Sequence, residues 1–304
     1  MGATEVGELT GQLAAERRGL LAHCYRMLGS WDEAEDAVQE ASMRAWRARD
    51  GFEGRSSVRV WLYRIATNVC LTALDGRNRR ALPSGLGAPS DDPAAEPVPA
   101  GPETWIQPFR TDPADVVEAR ADLRLALIAG LQHLPPRQRA VLLLREVLAF
   151  PAAEVAEMLG LSVPAVKSAL QRARARLEEV APTRESVAEP TAARARELLE
   201  GYMAAWENAD VVAFERVLRS DAGLEALPSR TWFAGKKLCV AWAGQFLGEP
   251  GDWRMVAAEA NGQPAAVTYW RGEPMGVAVL TVAEDGIANL TVFGDAALVP
   301  KFRG

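Results

Sequence analysis

Lys167, Ser168, Gln171, Arg172 and Arg174 stand close together in the stretch VPAVKSALQRARARL. Each is a side chain that grips or reads a polynucleotide: Lys and Arg pair with guanine edges or phosphates, Gln with adenine, Ser with either. Helical spacing puts Lys167, Gln171 and Arg174 on one stripe, with Ser168 and Arg172 beside it. Val166, Ala169, Leu170, Ala173 and Leu177 form the opposing apolar stripe at i, i+3, i+4, i+7 and i+11. Such a helix packs by one face and presents cations and amides on the other. A solvated face on a helical hairpin has the same pattern, so the stripe alone leaves both readings open.

The residues before it must position the stripe. FPAAEVAEML, then GLS, then VPAVKSALQRARARL reads as helix, tight turn, helix. Gly160 supplies the turn, Ser162 caps the second helix, and Pro164 is accepted in its first turn. This is helix-turn-helix spacing, in which the second helix enters the major groove. RQRAVLLLREVLAF supports it; Arg137 and Arg139 near its start either touch phosphate or stay solvated.

A second group of candidates lies upstream. SWDEAEDAVQEASMRAW puts Ala34, Ala37, Val38, Ala41 and Ala45 on one helical face, with Ser30 as N-cap and Asp36, Gln39 and Glu40 opposite. SVRVWLYRIATNVCLTAL puts Val58, Trp61, Leu62, Ile65, Val69 and Ala73 on an apolar face and also carries Arg59, Tyr63, Arg64 and Asn68. Aromatics interleaved with arginines and amides suit stacking on unpaired bases while holding their phosphates. An acidic helix beside a basic, aromatic one implies two partners, one protein and one nucleic acid.

The 304 residues allow two or three domains, and the net charge of −6 conceals segregation. Arg55, Arg59, Arg64, Arg77, Arg79 and Arg80 face only Asp75, whereas the stretch from Asp91 to Asp122 is mostly acidic. No apolar run reaches membrane-spanning length, and the amino terminus lacks an export signal, so no membrane partner and a cytoplasmic location are expected. Cys24, Cys70 and Cys239 are odd in number and far apart, which reads as buried free thiols rather than a disulfide or metal framework. The expected domains are a helical one at 8–82, a flexible acidic and Pro-rich linker at 83–113, a second helical one at 114–181, and an α+β one at 183–304. The last begins with a helix, TAARARELLEGYMAAWENAD; WRMVAAEA, AAVTYWRG, MGVAVLTV and IANLTVF then read as strands between the turn signals NGQP, GEP and EDG.

DEAEDAVQEASMRAW, SSVRVWLYRIATNVCLTAL and LPPRQRAVLLLREVLAFPAAEVAEMLGLSVPAVKSALQRARARL resemble conserved regions two and four of the extracytoplasmic-function sigma factors, over residues 8–181. The resemblance implies a dissociable subunit that gives RNA polymerase its promoter specificity, with no catalysis and no cofactor. It places Asp36, Gln39 and Glu40 on the helix that docks on core polymerase. It places Gly54, Arg55, Ser56, Ser57, Trp61, Arg64 and Asn68 where the −10 element is captured as single strand, with Trp61 equally readable as core. Ser162, Lys167, Ser168, Gln171, Arg172 and Arg174 fall on the −35 recognition helix. EGYMAAWENAD, ANGQPAAVTYWRG and FGDAALVPKF resemble a SnoaL-like domain of the cone-shaped α+β class. The expected architecture is therefore multidomain: two all-α domains, then an α+β domain.

An enzyme reading of the tail needs acid–base groups in a pocket. His23 and His133, the chain's two histidines, lie outside it, and Asp252, Glu259, Glu273 and Asp295 fall in or near turns. Tyr202, Tyr269, Trp206, Trp232, Trp242, Trp253 and Trp270 either line an apolar pocket or fill a core. A regulatory tail, docking on the helical domains or on WIQPF, is the favoured reading. Its ligand, a small molecule or a segment of the chain itself, stays open. The rival is a helix-turn-helix regulator that binds duplex DNA alone and senses a ligand through the tail.

Overall fold

The computed structural model describes residues 3–52, 54, 56–94, 96–98, 104–111, 123–180 and 190–302. The chain forms two compact units, one from Met1–Arg80 with Ala126–Pro182 and one from Ala81–Leu125 with Thr183–Gly304. Among the described residues no helix is long and apolar enough to cross a membrane.

The first unit opens with α1 (Ala3–Leu28), α2 (Trp31–Ala48) and α3 (Val58–Ala73). Helix α2 buries Ala34, Ala37, Val38, Ala41 and Ala45, and these small side chains let its neighbours approach closely. Ser30 Oγ accepts the Glu33 amide at 3.3 Å, the capping geometry its position implies. Helix α3 is rotated from its expected face. Leu62, Tyr63, Ala66, Thr67, Val69 and Cys70 are inside, while Val58, Trp61, Ile65 and Ala73 are half-buried. The cause is a buried polar cluster in which the Thr67 hydroxyl is satisfied. Thr67 Oγ1 donates to Tyr63 O at 2.6 Å and lies 2.9 Å from His23 Nε2, and the Tyr63 ring packs edge-on against His23. Polar side chains whose bonds are met can turn inward, which apolar periodicity does not register. Cys24 and Cys70 are buried free thiols on α1 and α3, and a hydrogen bond between them together with burial raises the Cys70 pKa.

The same unit continues through α4 (Leu125–Gln132), α5 (Pro136–Leu142) with a π turn over Leu143–Val147, α6 (Ala152–Leu159) and α7 (Val163–Val180). Arg139 is the tie between the halves of the unit, and it is buried rather than held out for phosphate. Its guanidinium donates to Met27 O on α1, to Gln132 Oε1 at 2.8 Å, and to Gln132 O and Leu134 O at 3.2 Å each. Burial lowers its pKa to about 10, so it remains charged and its carbonyl partners hold that charge. Phe150 closes the other side, edge-on to Tyr63 with centroids 5.5 Å apart and under the Arg59 guanidinium at 4.7 Å.

The second unit contains α8 (Ala192–Glu207), α9 (Val211–Val217), β1 (Arg80–Ala81, at its edge), β2 (Thr104–Trp105), β3 (Leu218–Leu227), β4 (Trp232–Ala234), α10 (Lys236–Ala243), β5 (Trp253–Ala260), β6 (Gln263–Trp270), β7 (Glu273–Ala283), β8 (Gly286–Phe293) and α11 (Val299–Phe302). Six strands form one sheet in the order β4-β3-β8-β7-β6-β5, with β3 and β8 parallel and the other neighbours antiparallel. Leu198, Tyr202, Phe214, Leu224, Phe233, Leu280 and Leu290 belong to its core. Asn261 and Gly262, at φ +57° and +65°, make the two-residue turn between paired Ala260 and Gln263, the conformation Asn-Gly favours.

Described residues of the stretch expected to be a flexible linker pack on this unit. Ser84 donates through N and Oγ to Glu225 at 3.2 Å each, Trp232 Nε1 to Gly87 O at 2.9 Å, and Phe109 N to Asn261 Oδ1 at 2.9 Å. Asn261 also gives its Nδ2 to Leu123 O at 2.6 Å and its own amide to Phe109 O at 2.7 Å. Ile106 and Phe109 of WIQPF are buried. The segment has no apolar period of its own because its backbone bonds are completed by the sheet and its turns.

Candidate nucleic-acid interface

The α6–α7 pair is built by its turn. Gly160 adopts the left-handed conformation (φ +63°) and Leu161 N bonds back to Ala156 O at 2.8 Å, ending α6. Ser162 Oγ then accepts the Ala165 amide at 3.3 Å and starts α7. Val166, Ala169 and Ala173 are buried, which turns Ser162, Lys167, Ser168, Gln171, Arg172 and Arg174 outward, all exposed. Two of the cations are already engaged. Arg172 Nη1 donates to Ser168 Oγ at 2.7 Å, and Arg174 forms an ion pair with Glu146 on the π turn. Arg174 therefore also braces α7 against its support, a contact the helix pattern does not reveal. Lys167 and Gln171 stay exposed on the same face.

On α2 the face opposite the alanines carries exposed Asp36 and Gln39 and half-buried Glu40, whose carboxylate receives Arg44 Nε at 2.6 Å. Met43 and Trp46 continue that face and are 40% and 41% exposed. Sequence reasoning passed over both; the available signal was two large apolar residues at helical spacing from an acidic stripe. Met and Trp are residue types enriched in protein–protein interfaces.

The third face surrounds the start of α3. Ser57 Oγ accepts the Val60 amide at 3.2 Å, Ser56 is half-buried, and Gly54 is exposed with φ +67°. Arg55 lies outside the described residues. Trp61, Arg64 and Asn68 share one side of α3, with Arg64 and Asn68 exposed. The Trp61 ring is half-buried against Phe52, centroids 4.8 Å apart and planes 36° apart, so the loop contributes an aromatic that the sequence reading did not single out. Tyr63 is removed from this face by burial, which pushes its pKa up to about 12. Arg59 is drawn over Phe150, and Arg77 and Arg80 both pair with Glu33, at 2.6 and 2.9 Å. The basic run is thus largely folded back on its own unit.

Residues 13–80 match the family model of Sigma-70 region 2, and residues 124–177 that of Sigma-70 region 4. The ECF RNA polymerase sigma factor SigG of Mycobacterium tuberculosis is 45% identical over 309 residues, covering 97% of this chain and 84% of that protein. The chain belongs to the extracytoplasmic-function sigma factors. SigJ of the same organism is 35% identical over 164 residues, 54% of this chain and 48% of that protein. The crystal structure of SigJ aligns over 94% of this chain and 96% of that one, with a TM-score of 0.60 at 23% identity, a likeness of fold. As a sigma factor the protein directs promoter recognition and transcription initiation with core RNA polymerase. Its architecture is two helical modules followed by an α+β domain built on a six-stranded sheet.

Proposed function

We propose that this sigma factor divides its work among three faces. Asp36, Gln39 and Glu40, with Met43 and Trp46 beside them, dock on core polymerase. Phe52, Trp61, Arg64 and Asn68, with Gly54, Arg55, Ser56 and Ser57, hold the −10 element as separated strand. Lys167, Ser168, Gln171 and Arg172 read the −35 duplex, with Ser162 and Arg174 at the edges of that contact. The observation that carries this reading is that one helical unit presents, on α2, α3 and α7, an acidic and apolar face, an aromatic and amide face, and a cationic face. An extruded base costs a few kcal/mol, which a stacking pocket of the second kind offsets.

The two DNA faces cannot serve a promoter in the compact arrangement. Elements about 25 base pairs apart lie roughly 85 Å apart at about 3.4 Å per pair. Contacts such as Arg139 with Met27 O and Phe150 with Tyr63 must therefore open before both are engaged. We read the C-terminal domain as the regulator of that opening, since it binds the segment joining the two helical modules. We also infer that it is not catalytic: it contains no histidine, and Asp252, whose carboxylate binds Arg271 at 2.8 and 3.1 Å, has its pKa lowered chiefly by that hydrogen bond and is a weak base. A protein that works with core polymerase on chromosomal promoters acts in the cytoplasm.

Run-off transcription with purified core polymerase tests the reading. The full chain is expected to start transcription at a promoter that core polymerase alone ignores. A chain ending at residue 182, which leaves the 81–125 segment without its partner surface, is expected to change promoter output. No initiation by either chain sinks the proposal, and equal output from both removes the regulatory part. Within the same assay, Lys167→Ala weakens −35 duplex binding and lowers the salt slope by about one if it contacts phosphate. Asn68→Ala is expected to impair open-complex formation, read by permanganate footprinting, more than duplex binding. Equal losses in both would count against a single-strand role.

A further inference from the structure

The C-terminal domain has a cavity of about 820 Å³, open to solvent on one side, whose walls include Tyr202 and Trp206 of α8, Trp242 of α10, and Trp253 and Trp270 of the sheet. That size falls within the range of about 300–1,000 Å³ typical of small-molecule sites. The rings are arranged in a series: Trp206 meets Trp253 at 5.2 Å and 86°, and Trp253 meets Trp270 at 4.9 Å and 62°. Trp206 is buried and anchors the series. A flat, ring-bearing molecule laid along the series gains dispersion and stacking contact with these rings. The charged groups of the lining do not recruit an ion, because Asp252 and Arg271 neutralise each other and Glu249 is solvent-exposed.

The cavity shares its walls with the anchors of the linker segment. Gln245 lines it and donates Nε2 to Pro93 O at 2.8 Å. On β3, Leu224 and Ala226 line it, while Glu225 between them accepts Ser84. Alternation along a strand puts these on opposite faces of one wall. We propose that the cavity is a sensory site for an uncharged, flat, ring-bearing molecule, and that occupancy is passed through β3 and Gln245 to the hold on residues 84–93. The transmission to transcription rests on the regulatory reading above; the binding site does not.

The probe is prodan, a neutral naphthalene ketone whose emission brightens and shifts to the blue in apolar sites, titrated into the full chain. Saturable binding of one probe per chain is expected. Ala226→Phe, which puts a ring into the cavity from β3, should weaken it at least tenfold. Trp270→Ala, which removes the last ring of the series, should weaken it about tenfold. Both variants are first checked by circular dichroism and thermal melting. Should Ala226→Phe fail to fold, Trp270→Ala decides. Failure to saturate, or unchanged affinity in the folded variants, overturns the site. Amide exchange reports on the linker, because Ser90 N bonds to Trp232 O and Arg230 N to Val98 O. Saturating prodan is expected to change exchange at these amides several-fold, and unchanged exchange overturns the transmission. Neither measurement contains polymerase or DNA, so their failure leaves the sigma-factor reading intact, while failed run-off transcription leaves the cavity result standing.

Discussion

Changing Asp36 and Glu40 together to lysine is expected to weaken binding to core RNA polymerase by about a hundredfold or more, with helical content unchanged. Both carboxylates lie on the side of α2 turned away from its buried alanines, so neither change touches the packing of the unit. Lys and Glu have similar helix propensity, so the backbone has no reason to respond. The lost Glu40–Arg44 pair is an i,i+4 contact worth a few tenths of a kcal/mol, too small to unfold the domain. At an interface the arithmetic differs, because reversing a charge replaces attraction with like-charge contact that costs several kcal/mol. Exposed Met43 and Trp46 would remain, supplying apolar area without orientation. Fluorescence anisotropy of labelled protein with core polymerase checks the result, and retained binding removes α2 as the docking face.

The second large effect is acid sensitivity centred on His23. Burial, reinforced by Arg26, lowers its pKa to about 3, against 6.5 for the free side chain. Above pH 6.5 the imidazole is neutral in both folded and unfolded chains, and its contribution to stability is fully present. As pH falls below 6.5 only the unfolded chain takes up the proton, so stability declines by about 1.4 kcal/mol per unit until pH nears the folded value. Between pH 6.5 and 5 the expected loss from this residue is about 2 kcal/mol. Tyr63, edge-on to the same imidazole, stays protonated throughout because its own pKa is raised to about 12. His23→Gln keeps an amide within reach of Thr67 and removes the titration. Urea denaturation at the two pH values should show a smaller difference for this variant than for the natural chain. Parallel losses would show that the acid sensitivity arises elsewhere.

Much of the architecture was legible before any coordinates. The alanine stripe of α2, its Ser30 cap, the Gly160–Ser162 turn and the strands β5 to β8 all follow from side-chain period and turn chemistry. Those are properties of residues a few positions apart, so the chain carries them locally. The exposed positions of Lys167, Gln171 and Arg172 are the reverse of the same periodicity. Strand β3 was not legible: LRSDAGLEAL mixes charge, Ser and Gly, and it is extended because β4 and β8 pair with it on either side.

The remaining features depend on partners far along the sequence. Tyr63 and Thr67 turn inward because His23 and Phe150 receive them. Arg139 is interior because Met27 offers a carbonyl, and Arg174 is braced because Glu146 lies opposite. The Pro-rich segment is ordered where Glu225 and Asn261 complete its hydrogen bonds, and the aromatic residues of the tail are both core and cavity wall. Periodicity reports which side of an element is apolar. Whether a polar group finds its bonding partner, or a ring faces a neighbour or a void, is decided only when distant segments meet.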